Sequence, residues 1–469
     1  MSAIKFGTDG WRARMGEEFS FKNVRLFAQG YANYIKKKCN STQPCVIVNF
    51  DTRFLSNEFA IETAKIFSLN GIKVLIPERD APVAAISLAV LKHKCCGAVN
   101  FTASFNKPIY NGIKIFTSRG VPALPEETDL IEHEIAAVEP TFLFKPQYPE
   151  NHLIHTIDVK SEYISYLEEW IDFQSIRDSG IKVMVDNLYG TSREYLDYIL
   201  GEHGIEMTAI HNFPYSAFGG VVSSCDHDSL RDLAQLVLRQ GAQLGLATDI
   251  DGDRFGIIDA KGRYLDSNMI MPPLVEYLIK VRKMEGGIVK SVTTTSNIRH
   301  VAEYYARKLY TTEVGFKFLA EVLLSKKAFV AVESSNGASL NGKVKIKDGI
   351  LFSLLVTEML VYHKLDMDKL LSDFYLRFPR LYNRETSVFK NKHTEKRFLE
   401  LLKREHFDFT SNGLDLQGVD LVDGIKFRFD DAWLLLRVSG TNPVIRIYAE
   451  SSKLKRTQAL IKLGRSFIE

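Results

Sequence analysis

The residues able to do chemistry in this chain fall in a few short polar stretches, each placed at the end of an apolar run. Asn100-Phe101-Thr102-Ala103-Ser104-Phe105-Asn106-Lys107-Pro108 sets a serine hydroxyl in a loop of small and turn-forming residues. Asn111-Gly112-Ile113-Lys114 follows, with a lysine near enough to face it. Taken alone, such a serine is what an ordinary turn carries. Thr248-Asp249-Ile250-Asp251-Gly252-Asp253-Arg254 puts carboxylates at every second position with an arginine behind them. Carboxylates this close repel unless a cation sits between them; a solvated acidic loop is the other reading. Asp-x-Asp-Gly-Asp also opens an EF-hand loop, but Ala260 stands at the twelfth position, where that loop needs glutamate. Mg²⁺ suits the pattern better, because it takes few protein oxygens and leaves the rest to water and phosphate. A serine that can carry phosphate and a cation to neutralise it point together to phosphoryl transfer.

Two further stretches suit a ligand. Arg437-Val438-Ser439-Gly440-Thr441-Asn442-Pro443 joins two strand-like runs and offers arginine, hydroxyls and a glycine-permitted turn. That set can cradle phosphate, or it can be a hairpin loop with a solvated arginine. Val332-Glu333-Ser334-Ser335-Asn336-Gly337 follows the apolar run 328–332; its carboxylate and hydroxyls suit sugar hydroxyls, or it is a polar strand end. The 11 histidines are dispersed and none falls in these loops, so a histidine-based apparatus has no support.

The elements that must position these loops share a plan. Cys45 to Phe50 is a continuous apolar strand, then Asp51-Thr52-Arg53, then a helical pattern from Asn57 towards Asn70. Ile181 to Asp186, with Gly190-Thr191-Ser192 leading into a helix through about Gly201, repeats it; so does Gly287 to Val292, with a helix from Asn297 to about Lys308. Strand, polar turn and helix mark the buried strands of α/β layers. Near the end, the runs 424–429, 432–437 and 444–449 are close strands followed by a helix from about Lys453 to Phe467, an α+β pattern. The expected fold is therefore α/β, with three related α/β domains and a C-terminal α+β domain around a central cleft. The expected divisions are 1–148, 149–259, 260–367 and 368–469.

A chain of 469 residues is too long for one core, and its 45% hydrophobic and 25% charged composition is that of a globular protein. A net charge of +3 gives no reason to expect nucleic acid or a membrane surface as partner. The Lys36-Lys37-Lys38 run reads as a helix end, where cations complement the negative pole. The five cysteines (Cys39, Cys45, Cys95, Cys96, Cys225) lack metal-ligand spacing and are expected to be reduced thiols. The first residues show no apolar signal core and no apolar run is long enough to span a bilayer, so a cytoplasmic location is expected.

In this order, these stretches resemble the α-D-phosphohexomutase superfamily, which includes phosphoglucomutase, phosphomannomutase and phosphoglucosamine mutase. Phe6-Gly7-Thr8-Asp9-Gly10-Trp11-Arg12 is similar to the family's opening motif in bacterial and archaeal members. The Thr-Ala-Ser-His-Asn-Pro serine loop reads Thr102 to Lys107 here, with Pro108 one place late, and Gly315-Phe316-Lys317 and Ser439 to Pro443 match further motifs. The resemblance implies an Mg²⁺-dependent mutase that exchanges hexose 1-phosphate and hexose 6-phosphate, glucose or mannose, through a hexose 1,6-bisphosphate. Ser104 would carry phosphate; Asp249, Asp251 and Asp253, with an oxygen on Ser104, would hold one Mg²⁺. Arg12 and Lys114 would flank the reacting oxygen, and Arg254 would steady the metal loop or the phosphoserine. Glu333 and Ser335 would bind sugar hydroxyls, with Lys317 a further ligand contact. Arg437, Ser439, Gly440, Thr441 and Arg446 would bind the distant phosphate. The partners implied are small hexose phosphates, with the chain a monomer or homodimer.

The sequence departs from the pattern in two places that position substrate. Phe105 replaces a histidine beside the nucleophile, and the sugar loop, usually Gly-Glu-Glu-Ser-Gly, reads Val332-Glu333-Ser334-Ser335-Asn336. Ile250 for a common proline leaves the metal ligands intact. Two alternatives stand beside the mutase expectation. Asp251-Gly252-Asp253 and Asn111 to Lys114 fit the phosphoglucosamine mutase branch, against Gly10-Trp11-Arg12, which favours the phosphoglucomutase side. A non-catalytic sugar-phosphate-binding homologue would explain Phe105 and the altered sugar loop.

Overall fold

Runs such as Val46-Ile47-Val48 and Leu244-Gly245-Leu246-Ala247 are apolar without alternation, and the strands they form are buried on both faces. The computed structural model describes residues 4–139, 153–220, 222, 224–364, 366–407, 409, 413–440 and 443–469. The first sheet holds β1 (Trp11–Arg14), β2 (Cys45–Phe50), β3 (Lys73–Pro77), β4 (Gly97–Phe101), β5 (Tyr110–Thr117) and β6 (Ile154–Ile157), in the order β1-β5-β4-β2-β3-β6. The second holds β7 (Lys182–Asp186), β8 (Glu206–Ile210), β9 (Leu244–Thr248), β10 (Phe255–Asp259) and β11 (Tyr264–Leu265), in the order β11-β10-β9-β7-β8. The third holds β12 (Gly287–Ser291), β13 (Leu309–Thr312), β14 (Ala328–Val332) and β15 (Ala338–Leu340), in the order β13-β12-β14-β15.

One four-strand plan recurs in all three sheets. A first strand runs parallel to the second on one side and to the third on the other, and the third turns back into an antiparallel fourth. These sets are β2 to β5, β7 to β10 and β12 to β15. Helices Ser56–Leu69, Leu196–Glu202 and Asn297–Tyr304 join the first strand to the second; Val83–Lys92, Arg231–Gln240 and Phe316–Leu324 join the second to the third. The fourth sheet is antiparallel, with β16 (Tyr382–Phe389), β17 (Leu416–Asp420), β18 (Ile425–Phe429), β19 (Ala432–Val438) and β20 (Val444–Ser451) in the order β16-β20-β19-β18-β17. Helix Leu454–Ile468 packs on it.

Side-chain alternation on β2 divides two cores. Val46 and Val48 face the helix Phe21–Lys38 with Phe27, Tyr31 and Phe67, while Ile47 joins a core that runs on through the second and third sheets. The fourth sheet has its own core around Phe427, Leu434 and Ile447. Lys36 to Lys38 form the last turn of helix Phe21–Lys38.

Four expectations need correction. The sheets do not divide at the expected residues: β6 at 154–157 joins the first sheet, and β11 at 264–265 joins the second. Helix Met367–Tyr375 buries Met367, Leu370, Leu371 and Phe374 in the core shared with the third sheet, not in that of the fourth. The helix expected to reach Lys308 ends at Tyr304 so that β13 can start, whereas 190–195 form the turns that lead into helix Leu196–Glu202. Finally, Cys39 and Cys96 form a disulfide instead of remaining thiols. The end of helix Phe21–Lys38 lies beside the start of β4, which brings together two cysteines 57 residues apart.

Candidate active site

The chemistry-bearing loops occupy one position in the repeated plan, the hairpin between its third and fourth strands. The β4–β5 hairpin carries Ser104, β9–β10 carries Asp249, Asp251 and Asp253, and β14–β15 carries Glu333 and Ser335. Equivalent ends of three sheets therefore meet, and the β19–β20 hairpin of the fourth brings Ser439 and Gly440 to the same cleft.

Ser104 is fully buried and has φ 47°, in the left-handed region that costs a non-glycine residue about 1–3 kcal/mol. Its Oγ donates to Asp249 Oδ2 at 2.9 Å, and its N–H donates to Thr102 Oγ1 at 2.8 Å. Arg53 holds the loop from below. This guanidinium, 3% exposed, donates to the carbonyls of Lys107 (3.0 Å), Tyr110 (2.9 Å), Asn106 (2.7 Å) and Ser104, with Asp51 Oδ2 at 3.2 Å from its Nε.

The aspartate loop is fixed by three neighbours through its main chain. Its Ile250, Asp251 and Gly252 carbonyls accept from the N–H groups of Thr191 (2.8 Å), Val83 (3.0 Å) and Gly349 (3.0 Å). Gly252 has φ 72°, and a Cβ there would lie 2.8 Å from Ser192 Oγ, so only glycine fits the turn. Asp249, Asp251 and Asp253 each offer a carboxylate oxygen within 4.8 Å of the others. Oδ1 of Asp251 and Oδ1 of Asp253 are buried and meet no hydrogen-bond partner among the described residues. Burial, and then the charges of Asp251 and Asp253, push the Asp249 carboxyl well up. Buried orphan oxygens and mutually repelling carboxylates are the donor set a hard divalent cation relieves, so this group can hold a metal ion.

Cations surround the triad. Lys114 Nζ lies 2.7 Å from Asp251 Oδ2, 2.8 Å from Asp253 Oδ2 and 3.2 Å from Asp9 Oδ2. Burial alone would lower its pKa, but those carboxylates outweigh it and hold the ammonium charged. Lys347 Nζ is 2.9 Å from Asp253 Oδ2, and Arg12 donates to Asp9 Oδ2 at 2.7 Å and to Asn106 Oδ1 at 3.1 Å. Asp9 is pushed up by burial, yet Lys114, Lys347 and Arg12 together hold it well below the usual carboxylate range.

A cleft of about 350 Å³, within the range of small-molecule sites, opens beside these groups. Arg12, Phe105, Arg254, Lys347, Glu333 and Ser335 line one part of it; Arg437, Ser439, Gly440 and Arg446 line another. Burial raises the Glu333 carboxyl above its ordinary range. Arg437 donates from Nε to Asp423 Oδ2 at 2.8 Å, and that carboxylate also takes the Val314 N–H at 2.9 Å, tying the fourth sheet to the third. Arg446 pairs with Glu385. Gly440 meets the opening motif so closely that a Cβ there would lie 2.2 Å from Thr8 Oγ1. Lys317 sits on helix Phe316–Leu324 with its ammonium 5.5 Å from the centre of the Phe318 ring, while its neighbours Gly315 and Phe316 line the cleft. Thr441 lies outside the described residues.

The 332–337 loop turns through a left-handed residue. Asn336, with φ 63°, takes the left-handed place a glycine would fill; asparagine tolerates that region. Its side chain accepts from Ser267 N–H (2.9 Å) and donates to Cys225 O (3.0 Å) and Tyr264 Oη (2.8 Å). Sequence reasoning missed Arg53, Lys347 and the role of Asp9. Asp9 lay in a motif already singled out; Arg53 lay in the polar turn after β2 with nothing to mark its main-chain partners, and Lys347 had no signal stronger than its place before an apolar helix.

Four family models match the chain: the phosphoglucomutase/phosphomannomutase α/β/α domains I (3–141), II (161–262) and III (266–378) and the C-terminal domain (393–462). A phosphoglucomutase/phosphomannomutase of Thermococcus kodakarensis is 26% identical over 474 residues, covering 99% of this chain and 98% of that one. A "probable phosphoglucosamine mutase" of Pyrococcus furiosus is 26% identical, covering 99% and 97%. The crystal structure of a Thermus thermophilus protein superposes with a TM-score of 0.85 at 26% identity, covering 100% of this chain and 99% of that one. No described helix is long and apolar enough to cross a membrane.

Proposed function

Because this chain belongs to the phosphoglucomutase/phosphomannomutase family, an isomerase family of intramolecular phosphotransferases acting on hexose phosphates, we propose that it exchanges the 1- and 6-phosphates of glucose or mannose through a phosphorylated Ser104 and a hexose 1,6-bisphosphate. The observation that carries this reading is the 2.9 Å hydrogen bond from Ser104 Oγ to Asp249, within a buried carboxylate triad beside a cleft lined by arginines. Asp249, Asp251 and Asp253, with an oxygen on Ser104, would hold Mg²⁺, which supplies charge withdrawal from the transferring phosphoryl group.

The chain's own residues do the rest. The Oγ–P bond of phosphorylated Ser104 breaks as a P–O bond forms to the sugar's free hydroxyl. Lys114, kept charged by the carboxylates around it, gives its proton to the leaving serine oxygen and takes up the one the sugar hydroxyl releases. Arg12 balances the moving charge. Glu333 and Ser335 bind sugar hydroxyls in either orientation, and Arg437, Ser439, Gly440, Thr441 and Arg446 hold the phosphate that does not react. The bisphosphate turns over in the cleft and returns its other phosphate to Ser104, so the phosphate has changed ends.

The test is a coupled assay on glucose 1-phosphate, with Mg²⁺ and a trace of glucose 1,6-bisphosphate, run beside mannose 1-phosphate. Glucosamine 1-phosphate is included because of the Pyrococcus relative's name. Turnover of any of them supports the reaction; binding of all without turnover overturns it in favour of a non-catalytic sugar-phosphate-binding role.

A further inference from the structure

Phe105 lines the cleft next to Ser104, and two guanidinium groups lie over its ring, Arg254 at 4.0 Å and Arg12 at 5.5 Å from the ring centre. The arginines come from different sheets: Arg12 is in β1 and Arg254 ends the aspartate loop of the second sheet. Arg12 is anchored at its Nη atoms by Asp9 and Asn106. Arg254 is held loosely by charge, its Nε being 3.8 Å from Asp253 Oδ1 and 4.0 Å from Asp249 Oδ2. The Nε of each arginine is buried and has no hydrogen-bond partner among the described residues.

Two like charges brought to one place repel, and an aromatic ring in contact with both attracts each of them. An apolar ring also leaves their N–H groups alone, whereas a hydrogen-bonding side chain at the same place would compete for them. Buried N–H groups left without partners are costly and mark a place where a ligand completes the bonding.

We infer that Phe105 is a positioning residue: its ring holds Arg12 and Arg254 together at the cleft so that their free N–H groups meet the oxygens of a phosphoryl group beside Ser104. The role of that group in transfer rests on the function proposed above; the pairing of the arginines by the ring does not.

The test compares Phe105→Leu, Phe105→Tyr and Phe105→Trp by steady-state kinetics and by calorimetric titration with glucose 1-phosphate in the presence of Mg²⁺. Leucine keeps the apolar bulk but not the π-face, and a desolvated cation–π contact is worth roughly a tenfold effect. Phe105→Leu should lose roughly tenfold in kcat/KM and in affinity, while the aromatic variants stay near the parent. In an Arg254→Lys background Phe105→Leu should cost much less, because the paired group is already changed. A leucine variant equal to the parent, an aromatic variant as impaired as leucine, or full additivity with Arg254→Lys would each overturn the inference. Should the parent turn over none of the hexose phosphates, the proposed function fails, and the calorimetric comparison alone decides this one.

Discussion

Arg53 touches neither the cleft nor the carboxylate triad, yet replacing it by lysine should cost the enzyme its turnover. Its planar fork serves four carbonyls of the serine loop at once, at Ser104, Asn106, Lys107 and Tyr110. A lysine ammonium placed in the same space is one point and reaches at most two of them. Each lost bond to a charged donor is worth about 1.5–3 kcal/mol, and because the bonds share one network the losses do not simply add. A weakening of the loop's hold by about 2–4 kcal/mol is the reasonable sum. That is comparable to the ~1–3 kcal/mol by which a left-handed, non-glycine backbone such as that of Ser104 is strained, so the loop can relax and carry Oγ away from Asp249. A displacement of about 1 Å at the reacting atom costs roughly 100-fold in rate. The residues proposed to bind the sugar and its distant phosphate sit on other hairpins, so KM should move far less than kcat, and Mg²⁺ should still bind because all three carboxylates remain. The assays are steady-state kinetics and the rate at which labelled glucose 1,6-bisphosphate phosphorylates Ser104. A merely structural role would lower the thermal midpoint without this split. Parent-like kcat, or a raised KM at unchanged kcat, refutes the reasoning.

Ser104→Ala should abolish turnover while calorimetric affinity for glucose 1-phosphate changes little, since the nucleophile serves chemistry more than ground-state binding; undiminished turnover would remove Ser104 from the reaction. Asp251→Asn should weaken Mg²⁺ binding, read by titration calorimetry, because a buried oxygen with no other hydrogen-bond partner becomes a neutral amide; unchanged affinity would place the ion elsewhere. Asp348 is buried, accepts from Tyr163 Oη at 2.5 Å and Leu351 N–H at 2.9 Å, and burial pushes its carboxyl from 3.8 to about 6. The folded state thus holds this proton more tightly than the unfolded chain, so its stabilising share is complete below about pH 4 and is lost as pH rises through about 6. Asp348→Asn should remove that slope, worth about 3 kcal/mol at most, from the pH dependence of the thermal midpoint, and equal slopes in both proteins would contradict it.

What could be read in the sequence was whatever a local run of residues decides. Val46-Ile47-Val48 can only be a buried strand, and Asp249-Ile250-Asp251-Gly252-Asp253 can only be a tight loop that gathers charge; both stand so in the fold. Three of the five C-terminal strands were equally legible, because short runs separated by turn residues fold on their neighbours, whereas β16 and β17 stand apart from that run and were missed. Ends of elements were not legible, since the early stop at Tyr304 answers to the sheet it packs on and not to its own composition. The Cys39–Cys96 disulfide was hidden for the same reason: which thiols meet depends on how helix Phe21–Lys38 lies against β4. Arg53 was the most consequential omission. Its partners are main-chain carbonyls, which every residue possesses, so no side-chain pattern announces them. The absence of glycine at Asn336 was visible as a departure from the family pattern but not its outcome: an asparagine that accepts φ 63° and then bonds Ser267, Cys225 and Tyr264 supplies both the turn and a fixed frame. The repeated strand plan explains why so much of the site was nonetheless visible. The same hairpin of three similar sheets carries Ser104, the three aspartates, and Glu333 with Ser335, so loops that are ambiguous one by one become legible in order, and the fold has only to bring equivalent sheet ends together.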